Sequence, residues 1–197
     1  DTLVAEDTVT VSECSCDSCL DCIDKLENTA CKIVNMTDNI TDSNTCIDDP
    51  YMENKIFDCK GYTINATTAI NLTDMKNVTF RNCHIIGAYD GDEMVRLVNI
   101  TESNFYEFDV DITAALTNPN EGFSLDKSHS NNFSYCNMEI VGVGPLFILA
   151  TGFDIRDSQN NTFDNIVDDS SGSYPLNYGM YFENSKYNNV TRNIIAI

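Results

Sequence analysis

The sequence predicts an all-β solenoid, a coil of about 23–28 residues per turn closed at its N-terminal side by a short Cys-rich helical cap. Three observations predict it. Asparagine recurs before similar runs at Asn54, Asn77, Asn104, Asn132, Asn160 and Asn188, at separations of 23, 27, 28, 28 and 28 residues. The text around these marks agrees: "NKIFDC", "NVTFRNC", "NFYEFDV", "NFSYCN", "NNTFDN" and "NNVTRN". Before the later marks stands a second motif of the form Gly, apolar, polar, apolar, then polar residues and Asn, as in "GFSLDKSHSN", "GFDIRDSQN" and "GMYFENSKYN".

Each period therefore holds two short alternating segments, which are half-buried strands. Corners rich in Asn, Gly, Asp and Ser suit residues that tolerate left-handed backbone. A helical repeat would show a 3.6-residue period and a leucine-rich repeat a shorter unit with a Leu ladder; neither is visible. Stacking of parallel strands places Val78, Phe80, Ile85, Phe123, Leu125, Phe133, Ile140, Phe153, Ile155, Phe163, Met180, Phe182 and Ile194 inside. The marked asparagines 54, 77, 104, 132, 160 and 188 are expected to form a ladder in which each amide bonds the turns above and below.

Read in order, residues 1–13 form an extended N-terminal strand, β-like at Val9 to Val11, that is a candidate for adding to a neighbouring subunit's sheet. Residues 14–31 form the cap: Ser18 is a candidate N-cap, with Leu20, Ile23 and Leu26 at helical spacing. The β-helix follows over 32–197, its longest apolar run, Pro145 to Ala150, reading as a buried strand. The chain stops at "VTRNIIAI" in mid-coil. Either the sequence is a piece of a longer β-helix, or these residues fold back, or the last coil meets the next subunit head to tail.

Nine cysteines and nine Asn-x-Ser/Thr triplets, at Asn35, Asn39, Asn65, Asn71, Asn77, Asn99, Asn132, Asn160 and Asn189, favour an extracellular, N-glycosylated protein with disulfides. Chance placement of these residue types gives about four such triplets. Cys14, Cys16, Cys19, Cys22, Cys31, Cys46, Cys59 and Cys83 are assigned to disulfides. Cys59 and Cys83 lie about one coil apart, and the spacing of adjacent strands fits disulfide geometry. The odd cysteine, Cys136, is expected free and buried. Cys14, Cys16, Cys19 and Cys22 could instead supply thiolates to zinc, but no second pair at long spacing accompanies them.

A formal net charge of −20 gives no basic footprint for nucleic acid and leaves cations, basic surfaces or neutral sugars as partners. No apolar stretch reaches membrane-spanning length, and the start at Asp1 suggests a removed leader or upstream region.

The patterns "GxxLxxSxxN" and "NxxFxNxxI" resemble the right-handed parallel β-helix repeat of pectate-lyase-like folds, and most closely its NosD-like and archaeal surface-protein versions. "CSCDSCLDC" and "IFDCKGYTI" are similar to the opening of those surface proteins. The resemblance covers roughly residues 32–197 and implies the fold; the fold itself carries lyases, hydrolases, sugar-binding modules and structural proteins.

A pectinolytic enzyme would need clustered carboxylates with a nearby basic residue. The acidic pairs, Asp48 with Asp49 and Asp168 with Asp169, and "DGDE" from Asp90 to Glu93, lie on different coils and read as solvated loop charge. "DGDE" could hold calcium weakly, with no EF-hand spacing; no other cofactor or metal site is expected. His84 and His129 have no partner in the sequence around them, and there is no His/Met cluster for copper. Tyr89, Tyr106, Tyr174, Tyr178 and Tyr187 are candidates to stack on sugars or simply strand residues. The expectation is a secreted structural subunit, self-assembling through its termini into a cell-surface filament or layer; the alternatives are a carbohydrate-binding or adhesive module and a polysaccharide lyase or hydrolase.

Overall fold

Alternating apolar and polar residues can bury one face only if strands stack, and they do so here by winding. A computed structural model describes residues 11–87, 93–114, 120–142, 150–172 and 177–196. All strand pairs are parallel and fall into a twelve-stranded and a six-stranded sheet. The first sheet stacks strands Glu13–Cys16, Ile33–Met36, Ile56–Asp58, Thr79–Gly87, Asn104–Ala114, Asn132–Gly142, Thr162–Asp164 and Asn189–Thr191, with four short strands continuing its rungs. The second stacks Thr45–Asp48, Thr68–Thr73, Glu93–Val98, Asn120–Asp126, Ala150–Arg156 and Asn177–Glu183. The chain is thus a parallel β-solenoid.

Register partners on the first sheet, from Glu13 through Ile33, Ile56, Thr79, Asn104, Asn132 and Thr162 to Asn189, stand 20, 23, 23, 25, 28, 30 and 27 residues apart. The coils widen along the chain. Glu13–Cys16 already pairs with Ile33–Met36, so the solenoid begins upstream of residue 32, inside the segment assigned to extension and cap.

The core is a set of columns. Phe57, Phe80, Phe105, Phe133 and Phe163 occupy one column, with ring centroids 5.0–5.8 Å apart between neighbours. Phe123 and Phe153 stack at 4.7 Å in a second column on the other sheet. Within van der Waals reach each ring also excludes water from its neighbours, so burial and aromatic contact reinforce one another. Phe182 continues the column Leu97, Leu125, Ile155, yet it is 40% exposed, and Val190, which follows Phe163, is 45% exposed; both lie on the last described rung. The side chain of Ile194, residues Pro145 to Leu149 of the apolar run Pro145 to Ala150, and Val9 to Thr10 lie outside what is described.

The helix Cys19–Glu27 starts at Ser18, whose hydroxyl accepts from the Asp21 N–H at 3.3 Å. Its buried face is Cys19, Cys22 and Leu26, while Leu20 is exposed, a correction to the apolar spacing read from sequence. Two disulfides turn that face inward: Cys16–Cys22 and Cys19–Cys46. Cys14–Cys31 and Cys59–Cys83 complete the set, which leaves no thiolate among Cys14, Cys16, Cys19 and Cys22 for zinc. Cys136 is free and buried, and burial pushes its thiol up to about 12. The buried Lys55 ammonium donates to the carbonyls of Leu26 and, at 2.6 Å, Asn28, satisfying orphan acceptors at the helix C-terminus.

The expected asparagine ladder holds at Asn188, which bonds Asn161 on the coil before, and is corrected by one or two positions on the coils that precede it. Asn54, Asn77 and Asn160 sit at a left-handed corner, with φ of 55°, 53° and 57°, and Glu102, Ser130 and Tyr187 adopt the same conformation at 53°, 58° and 58°. Asn77 Nδ2 donates to Asn54 Oδ1 at 2.6 Å, which is the one direct amide pair formed within the expected set among the described residues. Asn104 and Asn132 are register partners two residues further on, at the start of a strand. The continuous buried ladder is the intervening position: Asn161 Oδ1 accepts from the Asn131 N–H at 2.9 Å, Asn188 Oδ1 accepts from the Asn161 N–H at 2.9 Å, and Asn131 Oδ1 accepts from the Ser103 N–H at 3.0 Å. The amide nitrogens close the corner, Asn131 Nδ2 to Ile100 O at 2.8 Å and Asn161 Nδ2 to Ser128 O at 2.9 Å. A tight turn leaves backbone groups buried without a strand partner, and a carboxamide offers both the acceptor and the donor needed there.

Candidate ligand-binding face

The outer face of the six-stranded sheet carries three columns of side chains. Parallel register aligns Glu93, Glu121, Thr151 and Tyr178; Arg96, Ser124, Asp154 and Tyr181; and Val98, Asp126, Arg156 and Glu183. Residues separated by nearly thirty positions in sequence therefore stand about 4.8 Å apart.

Glycine makes the first two columns possible. Register between the strands is interrupted at Gly122 and Gly152, where two successive residues, Gly then Phe, are buried. A Cβ on Gly122 would stand 2.8 Å from the Gly152 carbonyl oxygen, and one on Gly152 would stand 2.7 Å from the Gly179 carbonyl oxygen. The backbones approach too closely for any side chain, which is the physical content of the Gly-apolar-polar-apolar motif. As a result Glu121 and Ser124 both reach the outer face.

Asp154 is buried, at 3% exposure, and ion-paired: Arg156 Nε donates to its Oδ1 at 3.1 Å, and Arg156 Nη2 to its Oδ2. The same guanidinium stands 3.9 Å from both Glu121 and Glu183. Burial first, then the Asp154 charge and a hydrogen bond to it, and then Glu93, push the Glu121 carboxyl up to about 7. One guanidinium thus serves three carboxylates, whose oxygens can accept hydroxyls or cations.

Because the Glu121 pKa is raised above its ordinary value of 4.5, its contribution to stability is fully present below that value and is lost as pH rises toward about 7. Glu121→Gln, which keeps a group that can donate to Asp154, is expected to leave stability near pH 4.5 unchanged and to abolish a loss on the order of 2 kcal/mol between there and neutrality. Thermal unfolding of both proteins across that range checks it.

Tyr178 and Tyr181 close the face on the next rung, 42% and 40% exposed, with ring centroids 5.9 Å apart and planes at 50°. With Thr151, Asp154, Arg156 and Glu183 they line a cavity of about 360 Å³. A second concavity of about 400 Å³, lined by residues that include Glu93, Arg96, Asp126 and Lys127, shares Arg156 and Glu183 with it. Together they form a shallow polar groove across the rungs.

The other outer surface pairs its charges internally. Asp58 accepts from Arg81 Nε and Asn82 Nδ2, each at 2.8 Å, and Arg81 Nη1 donates to Tyr106 Oη at 2.9 Å. His84 is held between partners the sequence did not reveal, Asp111 Oδ2 at 2.9 Å and Thr63 Oγ1 at 3.2 Å, on three successive coils. His129 Nδ1 accepts from the Gln159 N–H at 3.1 Å.

Of the residues singled out in sequence, Tyr178 lies in the groove, Tyr106 is spent on Arg81, and Tyr187 sits at a left-handed corner. Tyr89, Tyr174 and Asp90 to Asp92 of the calcium candidate lie outside the described residues. Asp168 is not solvated loop charge: it is 1% exposed and points inward, and a Cβ on Gly152 would stand 1.9 Å from its Oδ2. Glu121, Asp154, Arg156 and Tyr181 were missed; the signals that could have found them are the polar position of the aligned Gly motifs, Asp154 in "GFDI" and Tyr181 in "GMYF", and the charged residues that flank the motifs, Glu121 before "GFSL" and Arg156 after "GFDI". None of the nine sequon asparagines is buried. No helix among the described residues is long and apolar enough to cross a membrane. Compared with known proteins, the chain matches no family model, no curated protein and no solved structure.

Proposed function

We propose that this chain is a secreted, N-glycosylated β-helix of the cell surface, akin to the archaeal-type surface proteins its repeat resembles, and that it binds an extended glycan along the outer face of its six-stranded sheet. The carrying observation is the groove in which Tyr178 and Tyr181 stand beside the buried Asp154–Arg156 pair. Aromatic rings that present a face, next to fixed carboxylate acceptors and a guanidinium, are the groups that hold sugar rings and their hydroxyls. Four disulfides, which persist in oxidising compartments, and nine sequon asparagines of which none is buried support the extracellular placement.

Two of the chain's nine tyrosines line this groove and there is no tryptophan, so a ligand that covers them changes tyrosine fluorescence without a tryptophan background. Titration with a panel of oligosaccharides is expected to find a ligand whose affinity falls at least about tenfold in Tyr178→Ala/Tyr181→Ala, an effect of ~1.4 kcal/mol or more, with the melting temperature unchanged. No binding across the panel, or equal binding by the variant, would overturn the assignment.

The structural reading, a subunit of a filament or layer, turns on Phe182 and Val190, which continue core columns yet are exposed; in that reading a second copy covers them, as a further coil of a longer chain equally would. Sedimentation velocity separates the two: concentration-dependent end-to-end multimers support assembly, and a monomer at all concentrations removes it.

A further inference from the structure

Resting on the glycan-binding reading, we infer that the notch between Tyr178 and Tyr181 receives a free ammonium group, so that the glycan held on this face is a polymer of amino sugars. The two rings, 5.9 Å apart and inclined at 50°, form a wedge open to solvent rather than a flat platform. Such a wedge presents two π-faces to one compact cation, and the attraction strengthens where carboxylates lie behind the rings.

Here they do. Asp154 is the register partner of Tyr181 on the rung before, and it lines the same cavity as Glu183 and the two rings. The negative charge of this notch exceeds what the chain itself neutralises, because Arg156 is the one cation lining it among the described residues and is shared by Asp154 and Glu183. Beyond Arg156, Glu93 and Asp126 face the same groove against Arg96 and Lys127, so the excess is not relieved further along. A ligand ammonium supplies the missing charge. A uronate, the kind of sugar acid that pectin-type chains carry, would instead place like charge against Asp154 and Glu183. An N-acetylated sugar keeps the ring contacts but brings no cation.

The test is calorimetric titration below neutral pH, where free amines are charged, using the β-1,4-linked tetramers of glucosamine and of N-acetylglucosamine and the α-1,4-linked tetramer of galacturonate, with tetralysine as the non-sugar cation. The glucosamine tetramer is expected to bind at least about tenfold tighter than the N-acetylated one, and Glu183→Gln or Tyr181→Ala is expected to erase most of that preference. Glu183 is exposed, so its replacement leaves the fold intact. Equal binding of the acetylated and free tetramers would overturn this inference while leaving the glycan reading standing, as would a preference for the galacturonate tetramer. Binding of tetralysine with no oligosaccharide bound would overturn the glycan reading itself and mark the face as a site for basic peptide.

Discussion

Replacing Phe133 with alanine is expected to cost about 3–5 kcal/mol, the range for emptying a fully buried aromatic site. Phe133 is at 0% exposure and stacks on Phe105 at 5.0 Å and on Phe163 at 5.1 Å. It also meets Phe123 and Phe153 edge-on across the core at 5.8 and 5.4 Å, so it joins the two sheets as well as three coils. In a solenoid each coil touches only its neighbours, and loss of one interface cannot be relieved by distant packing. Chemical denaturation measures it. A loss under about 1 kcal/mol would mean that the ring column is not packed as described.

The second large effect is at the cap. Cys19–Cys46 closes a 27-residue separation and ties the helix to the strand Thr45–Asp48 of the six-stranded sheet. Converting both cysteines to serine is expected to destabilise by about 3.6 kcal/mol, the chain-entropy figure for a loop of that size. Since coils couple only to their neighbours, the loss falls first on the N-terminal end, and denaturation changes from one transition to a broadened or two-step one. Hydrogen exchange read at Leu26, buried under the cap, is expected to accelerate far more than at Phe133. Uniform acceleration along the chain would show that cap and coils unfold as one unit.

The same one-dimensional logic explains what the sequence disclosed. Periodic, inward-facing residues were legible because every coil repeats them: Phe80, Phe133 and Phe163 recur in one column, as do Phe123 and Phe153. Cys59 and Cys83 were legible as a pair for the same reason, being one coil apart. The pairings of Cys14, Cys16 and Cys19 were not, because a helix folds those residues back and period no longer predicts distance.

The ladder slipped because two neighbouring corner positions favour asparagine for different reasons. Asn160 tolerates a left-handed backbone, whereas Asn161 supplies a buried amide acceptor and donor, and coils of 20 to 30 residues hide the offset. Asp168 and Asp169 look alike as letters, but strand alternation buries the first and exposes the second. The candidate face was least legible of all. Glu121, Asp154 and Tyr181 each come from a different coil, and only parallel register makes them neighbours.

Hydroxyl-radical footprinting of the protein with and without its bound oligosaccharide tests the central claim most directly. Tyr178 and Tyr181 are predicted to be protected, while Tyr51, Tyr135 and Tyr187, more open to solvent but on other surfaces, stay unchanged. Protection of those three with Tyr178 and Tyr181 still reactive, or protection confined to Phe182 and Val190 on the last rung, would contradict a binding face on the six-stranded sheet.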